Sequence, residues 1–453
     1  FYNLSDYEKW KEDADTKKFS IKYYKGLGTS TPKEAKEYFR DMRVVNYVYE
    51  EDKSDEAIEL AFNKKQSDKR KNWLANYQRS NVLDYSKNNV THDEFINKEL
   101  IHFSNSDNKR SLPCIIDGLK VSHRKILYCA FKKNLKNEIR VAQFAGYVSE
   151  NGGYHHGEAS LQGAIVNMGQ DFVGSNNIPL LEPIGQFGSR IMGGNDSAQP
   201  RYIHTKLPDI IPHIYNKDDF NILDYIDDDG HPVEPEFYAP IIPMLLVNGS
   251  EGIGTGWSTY IPSYNPLDII DNLKILLKSK NVDDEELIEM KPWYRGFTGN
   301  IEKMTDTCYI SYGSYKKVNN SQVEIKELPI RSWTDKYKEF LESMIIDNTK
   351  DKKSKQYLRN YTSQCTDNKV RFTLTFASDV LEDITKDTTR NSEGQNKFEK
   401  LFKLTSKINT GNMVLYNEKG YLKKYNSVSD ILKNYFKVRL SLYAKRKIYQ
   451  LNS

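Results

Sequence analysis

Between Asn97 and Phe172 the apolar residues recur with a helical period three times in succession. Ile126, Leu127, Ala130 and Phe131 share one face; Val141, Phe144, Ala145 and Val148 follow at i, i+3, i+4, i+7; Leu161, Ala164, Ile165 and Met168 repeat the pattern. Three short helices with tight joins predict a helix-turn-helix core. The stretch from Ile178 to Lys206 is rich in Gly, Pro and Asn with short apolar pieces, which predicts a β-wing beside that core.

A chain of 453 residues is too long for one hydrophobic core and divides into roughly two to four units. Ahead of the three helices, Thr31, Pro32 and Glu34 form a capping box at the start of a helix, after the glycine turn "KGLGTS". Residues 54–78 read as a charged helix or helix pair, and Ser86 to His92 as a polar hinge. Further on, "VEPEFYAPIIPMLLVNGSEGIGTGW" (233–257) joins an apolar run to a glycine-dense turn. Alternating segments within 297–332 and at 369–376 predict an α+β unit with an antiparallel sheet, interrupted by polar loops at 347–368 and 384–397. Ser427 and Asp430 open a long helix whose seam, Val428, Ile431, Tyr435, Val438, Leu442 and Tyr449, has coiled-coil spacing.

Composition removes several function classes. No apolar run approaches the ~20 residues of a membrane span, and the opening "FYNLSDYEKWK" carries no targeting signal and reads as an internal cut. Cys114, Cys129, Cys308 and Cys365 form no C-x-x-C pair, which argues against a zinc site or a disulfide framework and for a reducing compartment. The formal net charge of +4 says little by itself, so its distribution matters more. Lys120, Arg124, Lys125, Lys132, Lys133, Lys136 and Arg140 crowd the stretch from Gly118 to Val141, with His123 among them and Glu138 opposing them. A basic run inside a helical cluster suits a polyanion better than a disordered tail does.

One dipeptide carries chemistry. In "AQPRYIHTKL" Arg201 stands directly before Tyr202. A phenol, with a pKa of about 10, is a poor nucleophile toward an anionic phosphodiester, and a neighbouring guanidinium eases both difficulties. It favours phenolate and holds charge on the crowded phosphorus. The adjacent His155 and His156 lack the i, i+4 spacing of a helical metal pair, and His155 suits a hydrogen bond at a helix entry. "GIGTGW" lacks the spacing of a dinucleotide fingerprint, and "KGLGTS" that of a Walker A loop.

These segments resemble the breakage-reunion region of eukaryotic-type type IIA DNA topoisomerases. The resemblance runs nearly end to end, through "IKYYKGLGTSTPKEAKEYF" (21–39), "DEAIELAF" (55–62), "KRSLPCIIDGLK" (109–120), "YHHGEASL" (154–161), "DFVGSNNIPLLEPIGQFGSR" (171–190), "PRYIHTKL" (200–207), "EGIGTGWSTYIP" (251–262) and "YNSVSDIL" (425–432). "YYKGLGTST" and "EGIGTGWST" look eukaryotic rather than bacterial-gyrase-like.

The resemblance implies a multidomain α+β fold: the C-terminal part of a Toprim domain with linker helices (1–90), a winged-helix domain bearing the nucleophile (91–240), an α+β tower domain (241–425) and the start of a coiled-coil helix (426–453). It implies an ATP-dependent enzyme in which Tyr202 forms a 5′-phosphotyrosyl double-strand break through which a second duplex passes. Arg201, Arg110 and His156 would assist at the scissile phosphate. Lys120, Arg124, Lys25 and His155 would contact the duplex, and Ile253 would wedge between base pairs and bend it.

Double-stranded DNA as partner, a homodimer and a nuclear location, or a viral factory or the cytoplasm for a viral source, follow from the same likeness. Mg2+ and ATP would be bound by family segments outside this chain, and Asp227 and Asp229 in "YIDDDGH" read as a turn rather than as metal ligands. The alternative is a noncatalytic DNA-bending scaffold with a winged-helix fold; the presence together of Arg110, His156, Arg201 and Tyr202 favours the enzyme.

Overall fold

The computed structural model describes the chain apart from residues 2, 3, 16, 17, 23, 25–27, 29, 41, 43, 86, 229, 347–356 and 453. It divides into two compact units, one of residues 1–108 with 254–257, the other of 109–253 with 258–453.

The first unit contains α1 (Leu4–Asp13), α2 (Pro32–Arg40), β1 (Asn46–Val48), α3 (Glu51–Phe62), α4 (Ser67–Ala75), β2 (Asn89–Thr91), α5 (His92–Phe95) and most of α6 (Ile101–Ser111). The capping box at α2 forms as the sequence predicts: Thr31 N donates to Glu34 Oε2 at 2.7 Å and Glu34 N to Thr31 Oγ1 at 3.3 Å. The charged stretch is a helix pair, α3 and α4. The expected hinge is different. Residues 89–91 pair in parallel with β1, Val90 is buried, and Thr91 with Glu94 closes a second capping box. Polar composition there reflects helix capping rather than a boundary.

The second unit opens with α7 (Val121–Lys132), β3 (Ile139–Arg140), α8 (Val141–Asn151) and α9 (Glu158–Gly169), the three helices the periodicity predicts. Ile126, Leu127, Val141, Phe144, Ala145, Val148, Leu161 and Ile165 are fully buried in its main core. The wing differs from expectation. Residues 178–206 hold one short strand, β4 (His204–Thr205), paired with β3, and an Ile184–His204 bridge. Glycine turns shape the rest: Gly188 and Gly194 both have positive φ, and a Cβ on Gly188 would lie 2.5 Å from the Gly194 carbonyl oxygen. After α10 (Ile211–Ile214), the antiparallel ribbon comes later, as β5 (Tyr225–Asp228) with β6 (His231–Pro235).

Next come α11 (Met244–Asn248), the hairpin β7 (Ser250–Ile253) with β8 (Ser258–Ile261), and α12 (Pro266–Lys278). The distal part is mixed α and β, with antiparallel sheets as the alternation predicts. It contains β9 (Asn300–Thr305), β10 (Cys308–Tyr312), β11 (Ser314–Lys317), β12 (Gln322–Glu327), α13 (Thr334–Ile346), β13 (Asn360–Ser363), β14 (Phe372–Thr375), α14 (Ser378–Thr385), α15 (Lys397–Leu401) and β15 (Thr405–Asn409). One sheet has the order β15-β10-β9 and the other β11-β12-β14-β13, over a separate core that includes Phe372, Leu374, Phe398 and Phe402. The expected loop 347–368 therefore contains an edge strand. The 384–397 loop is tied by Arg390, which pairs with Glu302 at 2.7 Å and lies 4.1 Å from the Tyr312 ring centroid.

Finally β16 (Met413–Tyr416), β17 (Leu422–Tyr425) and α16 (Val428–Asn452) return to the main core. The buried face of α16 is Ile431, Leu432, Tyr435, Phe436, Arg439 and Leu442. Tyr449, placed in the seam by its spacing, is exposed. The seam is real as far as Leu442, but its company is wider than a coiled-coil stripe because the helix lies against a globular core.

Candidate active site and nucleic-acid interface

The tyrosine is held by its neighbours. Val141 and Ala142 open α8 with amides that have no intrahelical acceptor. Val141 N donates to Ile203 O at 3.0 Å and Ala142 N to Pro200 O at 3.1 Å. Ile203 and Thr205 are buried, and β4 pairs Arg140 with His204 and Ile139 with Thr205. Tyr202 itself stands 66% exposed next to the buried Ile203, and its amide closes a turn on Gln199 O at 2.9 Å. The Arg201 guanidinium carbon lies 4.8 Å from the Tyr202 ring centroid, so the cation that the sequence places beside the phenol lies within cation–π range of its ring.

Of the other expected residues, Arg110 is exposed in the last turn of α6. His156 is exposed, meets Tyr154 edge-on at 5.4 Å and lines a shallow recess of about 370 Å³ with Ser149, Glu150 and Glu158. His155 faces Asp228, Nε2 to Oδ2 3.5 Å, on the β5–β6 ribbon rather than capping α9. Lys25 lies outside the described residues.

The basic run splits in two. Arg124 does not face outward: its Nε donates to Asp117 Oδ2 at 2.8 Å, and its Nη2 to Asp117 Oδ1 and Leu119 O, both at 3.0 Å. Asp117 also accepts from the Tyr238 and Leu119 amides, so this buried pair is saturated. The reading of Arg124 as a phosphate contact is therefore at odds with its position. Lys125 likewise turns to Glu234 and to Gly152 O, each at 2.7 Å. Burial pushes the His123 imidazole down to about 4, with Lys120 and Arg124 adding to the effect, so it contributes no cation at neutral pH. The Lys120 ammonium is also pushed down by partial burial, with Glu251 acting the other way.

The outward cations are the later ones. Lys132, Lys133, Lys136 and Arg140 are exposed. Lys132 lies 5.6 Å from the Tyr128 ring and Lys133 4.6 Å from the Tyr147 ring, and Arg140 pairs with His204, two residues past the tyrosine. Sequence reasoning singled out the start of the run. Asp117, seven residues before Arg124, was the signal that the first turn folds inward.

Ile253 ends β7 opposite Ser258 and is 85% exposed, an isolated apolar side chain on a hairpin held by four paired positions. Gly252 is fixed by proximity, since a Cβ there would sit 2.1 Å from Ser111 O. Asp227 closes a turn by accepting from Gly230 N at 2.8 Å, and Asp229 lies outside the described residues. Among the described residues, no three His, Cys, Asp or Glu side chains converge as a cation site, and no helix is long and apolar enough to cross a membrane.

Comparison with known proteins covers the whole chain. Residues 110–453 match the family described as the A subunit of DNA gyrase/topoisomerase IV, and residues 1–108 match the C-terminal associated domain of TOPRIM. DNA topoisomerase 2 of Arabidopsis thaliana is 46% identical over 455 residues, covering 99% of this chain and 30% of the relative. DNA topoisomerase 2 of Saccharomyces cerevisiae is 46% identical over 452 residues, with the same coverage of 99% and 30%. A solved Plasmodium falciparum structure, of the topoisomerase II DNA-binding, cleavage and re-ligation domain, is 43% identical, with a TM-score of 0.83 over 99% of this chain and 59% of that one. The chain thus spans about a third of the length of the curated relatives it matches. It belongs to the DNA gyrase/topoisomerase IV family of type IIA topoisomerases and carries the family's breakage-reunion region.

Proposed function

We propose that this chain is the cleaving and rejoining part of a type II DNA topoisomerase, with Tyr202 as nucleophile. The observation that carries the reading is an exposed phenol with a guanidinium 4.8 Å from its ring centroid, on a loop whose flanking carbonyls cap α8. In the reaction the Tyr202 oxygen bonds to phosphorus as its proton passes to solvent water, which also returns the proton that the leaving sugar oxygen takes up. The bond from phosphorus to the sugar 3′ oxygen breaks, and that oxygen takes up a proton. The reverse exchange reseals the strand, so the phosphodiester's energy is kept in the tyrosyl ester. Arg201 lowers the cost of the developing charge, the largest contribution expected of a fixed cation at a phosphoryl centre. Arg110 and His156 are assigned to the same phosphate, and Lys120 and His155 to the flanking duplex. Lys25 is assigned to DNA by the family motif alone. Lys132, Lys133, Lys136 and Arg140 join this interface by their exposure. Contacts of this kind supply affinity and salt dependence rather than sequence choice.

The finer partition follows the same reading: a Toprim-associated segment, a winged-helix unit built on α7 to α9, a tower on the distal sheets and a coiled-coil start in α16. A homodimer, a nuclear location, strand passage, and the use of Mg2+ and ATP belong to the larger protein.

The test is direct. Supercoiled DNA is incubated with the intact enzyme and denatured abruptly, and DNA joined to protein is measured. Trapped DNA that disappears in Tyr202→Phe supports the reading; equal trapping in the variant overturns it. DNA bending without trapping in the native enzyme would instead identify a scaffold.

A further inference from the structure

The short segment from Glu327 to Asp335 makes contact in two directions. On one side Arg331 Nη1 donates to Glu251 Oε2 at 2.6 Å and its guanidinium lies 5.3 Å from the Tyr260 ring, so it grips both strands of the hairpin that ends in Ile253. Arg331 holds φ +65°, a conformation unfavourable for a side-chain-bearing residue and retained where surroundings demand it. On the other side the segment holds the glycine loop that leads to the tyrosine. Thr334 N donates to Arg190 O at 3.2 Å and Asp335 N to Ile191 O at 3.0 Å. Glu327 forms a buried ion pair with Arg190 and also accepts from Thr298 N at 3.2 Å. The Trp333 ring lies so close over Gly193 that a Cβ there would sit 2.4 Å from it.

That loop is closed on itself and short of slack. Gly194 N donates to Ser189 O at 2.9 Å, Ser189 N to Asp196 Oδ1 at 2.8 Å, and Ala198 N to Gln186 O at 2.8 Å. Tyr202 follows four residues after Ala198. From Trp333 to Ala198 each link is a packed contact or a hydrogen bond, and the remaining step is a turn closed by Tyr202 N donating to Gln199 O at 2.9 Å and by Ala142 N donating to Pro200 O at 3.1 Å, which gives a displacement of Trp333 a continuous route to the phenol.

We propose that Arg331 and Trp333 are positioning residues that set the Ile253 hairpin and the Tyr202 loop in one register, so that bending the duplex and presenting the nucleophile occur together. The inference rests on the proposed function, and it concerns where Tyr202 stands rather than whether it reacts. A small misplacement of a nucleophile costs orders of magnitude in rate, whereas affinity spread over many phosphates barely changes.

The test uses the intact enzyme, with covalent trapping and duplex affinity measured side by side. Trp333→Ala is expected to lower trapping at saturating duplex by at least about tenfold, with affinity within about twofold, and Trp333→Phe to recover most of it. Ile253→Ala should lower trapping in the native background and add less than about twofold in Trp333→Ala, because coupled residues are not additive. Arg331→Ala, a change at a half-exposed contact, repeats the comparison should Trp333→Ala fail to fold. Trapping within about twofold of native in both variants, or losses that simply multiply with Ile253→Ala, would overturn the proposal. Tyr202→Phe serves as control: if it still traps DNA, the functional reading fails and the positioning proposal falls with it, whereas trapping lost in Tyr202→Phe but native in Trp333→Ala and Arg331→Ala overturns the positioning proposal alone.

Discussion

The carbonyl of Ile203 accepts the first free amide of α8, that of Val141, at 3.0 Å. The residue after the tyrosine is thus both helix cap and core side chain, for Ile203 is buried against Gly185. Ile203→Ala should cost about 2–5 kcal/mol of stability and Ile203→Val about 1 kcal/mol, read from denaturant unfolding. At temperatures where both stay folded, covalent trapping should fall in the same order while duplex affinity holds.

The Arg201 guanidinium lies 4.8 Å from the Tyr202 ring centroid, and under the proposed function its charge stabilises the transition state there. Arg201→Ala should reduce cleavage by about 10²–10³-fold, the range seen when one fixed stabiliser of a transition state is removed. Arg201→Lys should recover only part, since an ammonium lacks the planar fork. Single-turnover cleavage at saturating DNA measures both.

Arg124 and Lys133 separate folding from binding. Arg124→Ala strands the buried Asp117 carboxylate and should destabilise the chain by about 3–5 kcal/mol in thermal or chemical melting. Lys133→Ala should leave melting unchanged and reduce the slope of log affinity against log salt by about 1. A reversal of these two outcomes would return Arg124 to the duplex.

The His123 imidazole, pushed down to about 4 by burial, gives a pH dependence of known sign. Between that value and the ordinary value of about 6.5, the unfolded chain binds a proton that the folded chain refuses. Stability from this group is complete above about 6.5, declines as pH falls through the window and levels off below about 4. His123→Gln should flatten that part of a melting-temperature profile between about pH 4 and 7.

Much of this was legible in sequence because periodicity reports burial directly. Val141, Phe144, Ala145 and Val148 are core residues at the spacing that marks them. The capping box at Thr31 and Glu34 is a local motif and needs no tertiary information. The wing was misplaced because glycine and proline mark turns without saying whether strands lie between them, and the loop from Gly188 to Ala198 closes by backbone contacts across its own turns. The basic run misled at its first turn for a related reason. Charge can be counted along a chain, but the partners of Arg124 and Lys125, Asp117 and Glu234, are chosen by the fold. That the Glu327–Asp335 segment meets both the Ile253 hairpin and the glycine loop before Tyr202 has no sequence signal, since those contacts reach across 80 residues and more.

α16 is rooted deeply at one end. Tyr435 donates to Pro240 O, Arg439 reaches the buried Asp219 at 2.7 Å, and Lys445 holds Ile222 O at 2.8 Å. Past Leu442, its last buried residue, Arg446 Nη1 still donates to Asp219 Oδ1 at 3.2 Å and Gln450 Nε2 to Asp218 Oδ2 at 3.1 Å. A helix pinned to the 217–222 segment at Arg439, Lys445, Arg446 and Gln450 cannot swing on its own: a sideways force on it is felt as torque at Asp219 and Pro240, inside the same core that seats the tyrosine strand, instead of being absorbed in a joint.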